Sequence, residues 1–351
     1  MTRREELEAF EQAHLSPRAA KAAGSRGRAR PESPCPMRTA YMRDRDRIIH
    51  QAKAFRRLAY KTQVFVSPQT DHYRTRLSHT LDVAQIARTI ARALSLNEDL
   101  TEAIALAHDL GHAPYGHAGE EGLHAAYARH GGSFHHAAHS LRVVDVLERD
   151  GEGLNLTWEV RNGIIAHTKG RADLGDALSS HTPATLEAEI VRVSDRIAYL
   201  NHDIDDALRA GVMQLSDLPA DALGVLGATH GARIGKMVTD VIVASADAEA
   251  ISLSDEVRQA SDAIKEHLFD HVYLSAQAAN ADRGRIKALL AALFEAFLAE
   301  PERIPNPHPS LNLDDHRDRA RAVCDYLAGM SDRFAKQTYL DLFLPREWQR
   351  Q

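Results

Sequence analysis

Apolar residues in this chain recur at spacings of three and four along most of its length. No stretch sustains the two-residue alternation of a strand with one buried face. With Ala-rich segments that favour helix, this period predicts an all-α fold. The helical rows also carry histidine where an apolar residue is expected. In residues 78–94, His79, Val83, Ile86, Ile90 and Leu94 share one face, so His79 heads a buried stripe and points inward. In NEDLTEAIALAHDLGH, Asn97 has the chemistry of an N-cap, acidic residues fill the first turn, and Gly111 marks a stop. Leu100, Ala103, Ile104, Ala107 and His108 form the buried row of that helix, again ending in histidine. Asp109 stands about 100° round a regular helix from His108, so both can face one ion only where the helix is ending.

A third helix is expected over about residues 184–210. Ile190, Val193, Ile197, Ile204 and Leu208 make its apolar stripe, and Asp195, Tyr199, His202, Asp203 and Asp206 make a second one. That second stripe reads either as a solvent face or as the wall of a polar cavity. Residues 317–343, with DYLAGMSDRFAKQTYLDLF, read as one amphipathic segment, and residues 215–309 carry no evident chemistry. Residues 1–36 open with a short charged helix and continue through a Gly-, Ser-, Arg- and Pro-rich run, which reads as a mobile tail. The expected organisation is this tail, a core over 37–215, and a C-terminal helical lobe over 216–351 that completes the domain.

Composition narrows the function. The chain has 351 residues, 44% hydrophobic and 26% charged, with a formal net charge of −6, so it is globular and its overall balance does not attract nucleic acid. Residues 38–61 nevertheless gather Arg38, Arg43, Arg45, Arg47, Lys53, Arg56, Arg57 and Lys61 against Asp44 and Asp46, either a solvated helix face or a seat for a polyanion. Two cysteines, Cys35 and Cys324, exclude a disulfide framework and a thiolate zinc site, and point to a reducing compartment, the cytoplasm. No apolar run reaches the roughly 18 residues of a membrane span, and the N-terminus lacks a signal-peptide core.

Of the 20 histidines, eight fall between His108 and His139. One inward histidine is ordinarily a satisfied core residue, but the adjacent His108–Asp109 pair changes the balance. A carboxylate at the buried end of an apolar helix costs several kcal/mol unless a partner compensates it, and a cation is the simplest partner. Beyond the pair, GHAPYGHAGEEG places His112, His117 and Glu120 among glycines and a proline, hence on a turn. His117, nine residues past His108, can fold back over an ion and exchange a proton near neutral pH, with Glu120 to orient it.

The strings RDRDRIIHQAKAFRRLAYKTQVF, RTRLSHTLDVAQIAR, AHDLGHAPYGHAGE, DRIAYLNHDIDDAL and DYLAGMSDRFA resemble the bacterial deoxyguanosine triphosphate triphosphohydrolase family, over about residues 38–343. The resemblance implies an all-α HD fold, its HD core at residues 37–215, with metal ligands His79, His108, Asp109 and Asp195. It also implies hydrolysis of a deoxynucleoside triphosphate to the deoxynucleoside and inorganic tripolyphosphate. By motif, His117 is the catalytic histidine, with Glu120 beside it and His136 as a helper. His112, Arg76 and Arg196 touch phosphates, Gln63 and Asp203 the sugar 3′-hydroxyl, Tyr199 the deoxyribose face, and Tyr326 the nucleoside pocket. The mixed His/Asp set suits Mn2+, Fe2+, Co2+ or Zn2+, with Mg2+ on phosphate oxygens. The family assembles into homo-oligomers and responds to allosteric nucleotides.

One stretch departs from the family, which usually reads FEHNAQSLR where residues 134–142 here read FHHAAHSLR. His136 is kept, while His135, Ala137 and His139 replace Glu, Asn and Gln. The two new histidines are spaced i and i+4, as a metal-binding helix would have them, but read as exposed. Two rival readings stand beside the main one. The first is another HD phosphohydrolase, acting on nucleoside monophosphates or signalling nucleotides. The second is a nucleotide or nucleic-acid sensor with a vestigial HD site, using the Arg-rich segment to hold single-stranded nucleic acid.

Overall fold

A computed structural model describes residues 1–63, 74–168, 182–273 and 279–345. Among the described residues fifteen α-helices run in the order α1 Arg3–His14, α2 Ala40–Gln51, α3 Lys53–Arg57, α4 Arg76–Ala93, α5 Glu98–Ala107, α6 Gly116–Ala128, α7 His136–Arg142 and α8 Trp158–Ala166; then α9 Leu186–Arg209, α10 Ala220–Leu226, α11 His230–Ser245, α12 Asp255–Leu268, α13 Ala279–Ala299, α14 His316–Ala328 and α15 Asp332–Phe343. Among the described residues there is no β-strand, only isolated bridges at Arg28–Thr157 and Thr62–Thr75. The fold is all-α.

The helices that carry histidine are set as their sequences require. Thr75 caps α4, accepting from Ser78 N–H, and the buried row His79, Val83, Ile86 and Ile90 follows. Asn97 caps α5 by accepting from Leu100 N–H. Thr185 caps α9 through Ala188 N–H. Helix α4 packs between α5 and α9, and α2 and α8 close over α5. A first core fills these contacts and continues into α10–α12 through Leu226, Met237, Val241, Val257 and Ile264. A second core joins α6 to α13–α15 through Leu123, Leu290, Phe294, Val323 and Leu327. Packing therefore does not divide at residue 215: α6, from the first half, rests on the C-terminal helices.

Two expectations need correction. Residues 1–36 are not a free tail. Arg18 donates to the Ala246 carbonyl at 2.7 Å, Ala20 N–H to Glu187 at 3.0 Å, and Arg26 N–H to Glu159 at 2.7 Å. The Arg28 guanidinium pairs with the fully buried Asp44, and that of Arg26 lies 3.7 Å over the Trp158 ring. Carboxylates buried on α2, α8 and α9 take up the segment's polar groups, and such partners leave no local signal. Residues 317–343 form two helices rather than one. The chain breaks after Gly329, and Ser331 caps α15 through Phe334 N–H.

Candidate metal centre

The end of α5 is where the chemistry gathers. The helix stops at Ala107, and His108 and Asp109 lie in the turn that follows, so the two side chains escape regular helical spacing. Gly111 acts here through packing rather than as the stop. A Cβ on it would stand 2.1 Å from Ser140 N of α7. Ser140 clamps the turn, its hydroxyl donating to the His108 carbonyl at 2.7 Å and accepting from Gly111 N–H at 2.9 Å.

Around this turn the four residues expected as ligands converge. His79 Nε2 lies 3.1 Å from Asp195 Oδ1 and 4.0 Å from Asp109 Oδ2. His108 Nε2 lies 3.5 Å from Asp109 Oδ1 and 3.9 Å from Asp195 Oδ1. A divalent ion with ligands at about 2.1 Å sets adjacent donor atoms roughly 3.0–3.5 Å apart, so the set needs little adjustment to hold one. His108 supplies a further test. Its Nδ1 donates to the Ala105 carbonyl at 2.7 Å, which leaves a lone pair on Nε2, and that atom is buried without a hydrogen-bond partner. An orphaned buried acceptor costs about 1–3 kcal/mol, a cost that a bound cation removes. The residues fit a metal.

Electrostatics agree with that fit. Burial alone would raise the Asp109 carboxyl, but His108, His112 and Arg76 outweigh it and hold the group well below the usual range. Asp195 behaves alike: burial opposes, and the neighbouring imidazoles of His79 and His108 bring it down to about 2. Both stay ionised, as metal ligands must.

Next to Asp109 lies a second group of polar side chains. Arg76, 2% exposed, donates to Asp109 Oδ2 at 2.7 Å, while its Nε and second terminal nitrogen are buried and unpartnered. His112 Nε2 is 3.2 Å from Asp109 Oδ1 and its ring stacks on His136 at 4.1 Å. His136 Nδ1 meets Glu120 at 2.9 and 3.1 Å, and His136 N–H donates to the same carboxylate at 2.7 Å. Burial would lower His136, but Glu120 outweighs it and raises the imidazole. His117 stands 3.7 Å from Glu120 with its side chain 72% exposed, at the mouth. Both His117 and Glu120 lie in the first turns of α6, not on a turn as expected, because the backbone reverses just before them at Tyr115 and Gly116. Gly116 has φ +58°, and a Cβ there would sit 3.0 Å from the Gln63 carbonyl, so glycine permits α6 to start against Gln63 and Arg76.

On α9, Asp195, Tyr199 and Asp203 repeat every four residues on one face, and His202, Asp203 and Asp206 are buried, so the polar stripe is not a solvent face. Burial first, then Asp206 and Asp195, raise the Asp203 carboxyl well above its usual value, favouring the protonated form. Arg196 does not join them. One residue past Asp195, it turns to α12 and donates to Asp262 at 2.6 Å and Ser261 at 2.9 Å. Tyr326 packs its ring edge-on to Phe297 at 5.0 Å in the second core. His135 and His139, expected to be exposed, are 9% and 4% exposed. His135 caps α7, and His139 faces the Arg142–Asp325 pair, replacing surface positions that the i, i+4 spacing alone would suggest.

Several residues at the site had no assignment from sequence. His202 was visible in the polar stripe, but not as the neighbour of His79, 3.3 Å away, nor was its contact with Asp82 at 3.0 Å. His167 copies His108. It follows an apolar run, its Nδ1 bonds the Ile164 carbonyl at 2.7 Å, and its unpartnered Nε2 points to Asp109 from 3.9 Å. The likeness of GIIAH to IALAH was the available signal. Lys61, fully buried, bonds the carbonyls of His112 and Ala328. Asp332 accepts from Tyr115 N–H and Thr62 N–H, each at 2.8 Å, tying the approach to α6 to the segment that carries Gln63.

Fold and centre together define an HD-type phosphohydrolase, and the family model for the HD domain matches residues 76–200, with that for a phosphohydrolase-associated domain matching 251–341. Three relatives match over nearly the whole chain. All three are called deoxyguanosinetriphosphate triphosphohydrolase-like protein. The one from Caldanaerobacter subterraneus subsp. tengcongensis is 51% identical over 98% of this chain and 97% of its own. That from Desulfatibacillum aliphaticivorans is 45% identical over 98% and 99%, and that from Geobacter sulfurreducens 41% identical over 99% and 100%. The chain belongs to the deoxyguanosinetriphosphate triphosphohydrolase-like family. No described helix is long and apolar enough to cross a membrane.

Proposed function

We infer that the protein hydrolyses deoxynucleoside triphosphates to the deoxynucleoside and inorganic tripolyphosphate. The observation that carries this reading is the two-sided use of Asp109, which faces the ligand quartet and also the unspent buried N–H groups of Arg76. The names of the relatives support a triphosphate as substrate.

His79, His108, Asp109 and Asp195 would hold the divalent ion, which when bound supplies Lewis acidity to phosphate oxygens and water activation at neutral pH. Arg76, fixed by its bond to Asp109, aims its remaining donors at phosphoryl oxygens, and His112, whose neutral ring gives its N–H to Asp109, stands beside it. Water attacks the α-phosphorus, the bond to the 5′-oxygen breaks, and that oxygen needs a proton. His117, at the mouth and steered by Glu120, delivers it, and the charged Glu120–His136 pair anchors that carboxylate. Asp203 and Gln63 take the 3′-hydroxyl, Tyr199 covers the sugar face where a 2′-hydroxyl would be crowded, and Tyr326 lines the nucleoside pocket. Arg196, paired with Asp262, is left out of the phosphate contacts.

The sensor reading draws less support. Much of the basic segment is spent internally, Arg45 on Asp99 at 2.6 Å, Arg47 on Glu32 at 2.6 Å and Arg38 on Asp46 at 2.6 Å. The direct test is His117→Ala in 18O-water. The variant keeps its metal and loses about 100-fold or more in turnover, while the unaltered enzyme places the label in tripolyphosphate. Unchanged turnover, or label in the deoxynucleoside, refutes the assignment.

A further inference from the structure

We propose that Glu120, His135 and His136, joined by His117 from the mouth, form a second cation site of zinc type whose occupation stops hydrolysis. Glu120, His135 and His136 each offer a donor atom, and all three atoms lie within 4.8 Å of one another. His117 Nδ1 already stands 3.7 Å from Glu120, on a side chain exposed enough to swing inward. The site is separate from the His79–His108–Asp109–Asp195 centre, sharing no ligand with it.

The donor chemistry selects the ion. Imidazoles with one carboxylate and no thiolate suit Zn2+, whereas Mg2+ prefers an all-oxygen shell with several waters. A histidine must be neutral to bind metal: burial, with the neighbouring His136, lowers His135 to about 4, and His136, which Glu120 raises, gives up its proton as the ion binds. Its Nδ1 accepts only a long bond, 3.3 Å, from Ala137 N–H, so little is lost if that nitrogen turns to a cation. The His135 and His136 rings stack at 4.6 Å, and the Glu120 carboxylate bonds His136 at 2.9 Å. An ion there removes Glu120 from His117 and occupies the mouth. Inhibition rests on the roles proposed above for these two residues; binding does not.

Zn2+ itself is the probe. The full-length protein, stripped and reloaded with one equivalent of Mn2+, is titrated with Zn2+ by calorimetry while turnover is followed. His135→Asn keeps an N-cap acceptor and removes the imidazole. The unaltered protein takes up one more equivalent of Zn2+ than the variant, and loses at least tenfold in turnover at a concentration that leaves the variant active. Zinc exchanging into the main centre inhibits both proteins alike, and equal stoichiometry and inhibition overturn the proposal. Should the variant misfold by circular dichroism, crystals of the unaltered protein soaked in Zn2+ decide. An anomalous peak at bonding distance from a His135 ring nitrogen supports the site, and a peak at the main centre alone overturns it. A peak at His135 in a protein that hydrolyses no triphosphate would sink the functional reading and leave this one standing.

Discussion

Replacing His202 by phenylalanine tests how His79, a proposed metal ligand, is prepared. His202 Nε2 lies 3.0 Å from Asp82 Oδ2, so it carries the proton and donates. Burial keeps this ring neutral, lowering it to about 4, so Nδ1 is a lone pair that accepts from His79 Nδ1–H at 3.3 Å. His79 is thereby fixed in the tautomer whose Nε2 is free to face Asp195 and the ion. Phenylalanine keeps the ring volume and deletes the acceptor, stranding a buried N–H. Losing such a partner costs about 10- to 100-fold in metal affinity. The 3.3 Å separation is long, which places the loss near the lower end, about 1.4–2 kcal/mol. Competition for Mn2+ against a chromogenic chelator reads the difference directly. His202→Gln, whose carbonyl can accept, recovers most of it, and Asp82→Asn costs less because Asp82 is half exposed. Affinity in His202→Phe equal to that of the unaltered protein would refute the relay.

Two further outcomes follow from the surroundings of the site. Ser140→Ala strands the His108 carbonyl and Gly111 N–H, and should cost about 2–4 kcal/mol by urea denaturation with a parallel fall in metal affinity; a loss below about 0.5 kcal/mol would show the clamp to be idle. Burial lowers Lys61 from 10.5 to about 7, so between those values the unfolded chain binds more protons and stability rises with pH. Across pH 7 to 10 the gain is roughly 4 kcal/mol, and Lys61→Met should abolish it; parallel stability–pH curves for the two proteins would contradict the burial cost.

The cluster at the proposed centre was legible because its candidate ligands sit on strongly periodic helices. His79 and His108 end apolar rows, Asp109 is the costly carboxylate beside one of them, and Asp195, Tyr199 and Asp203 repeat every four residues. Features built from distant partners were not legible. The first 36 residues look disordered by composition, but Glu159, Glu187 and Asp44, remote in sequence, bind them. Asp332 fixes Tyr115 from 217 residues away. His135 and His139 looked exposed because α7 shows no apolar row of its own; burial there comes from packing over Gly111 and against Phe134. Arg196 shows the reverse limit, where a motif position is kept but the side chain finds an acidic partner on α12.

Product identification tests the central claim most directly. The purified protein with Mn2+ or Mg2+ is given each deoxynucleoside triphosphate, singly and in mixtures, and the products are resolved by anion exchange and phosphorus NMR. Deoxynucleoside and inorganic tripolyphosphate are expected in equal amounts, and His108→Ala or Asp109→Ala should abolish both. Release of pyrophosphate or orthophosphate as the first product, or turnover that survives loss of either ligand, would contradict it.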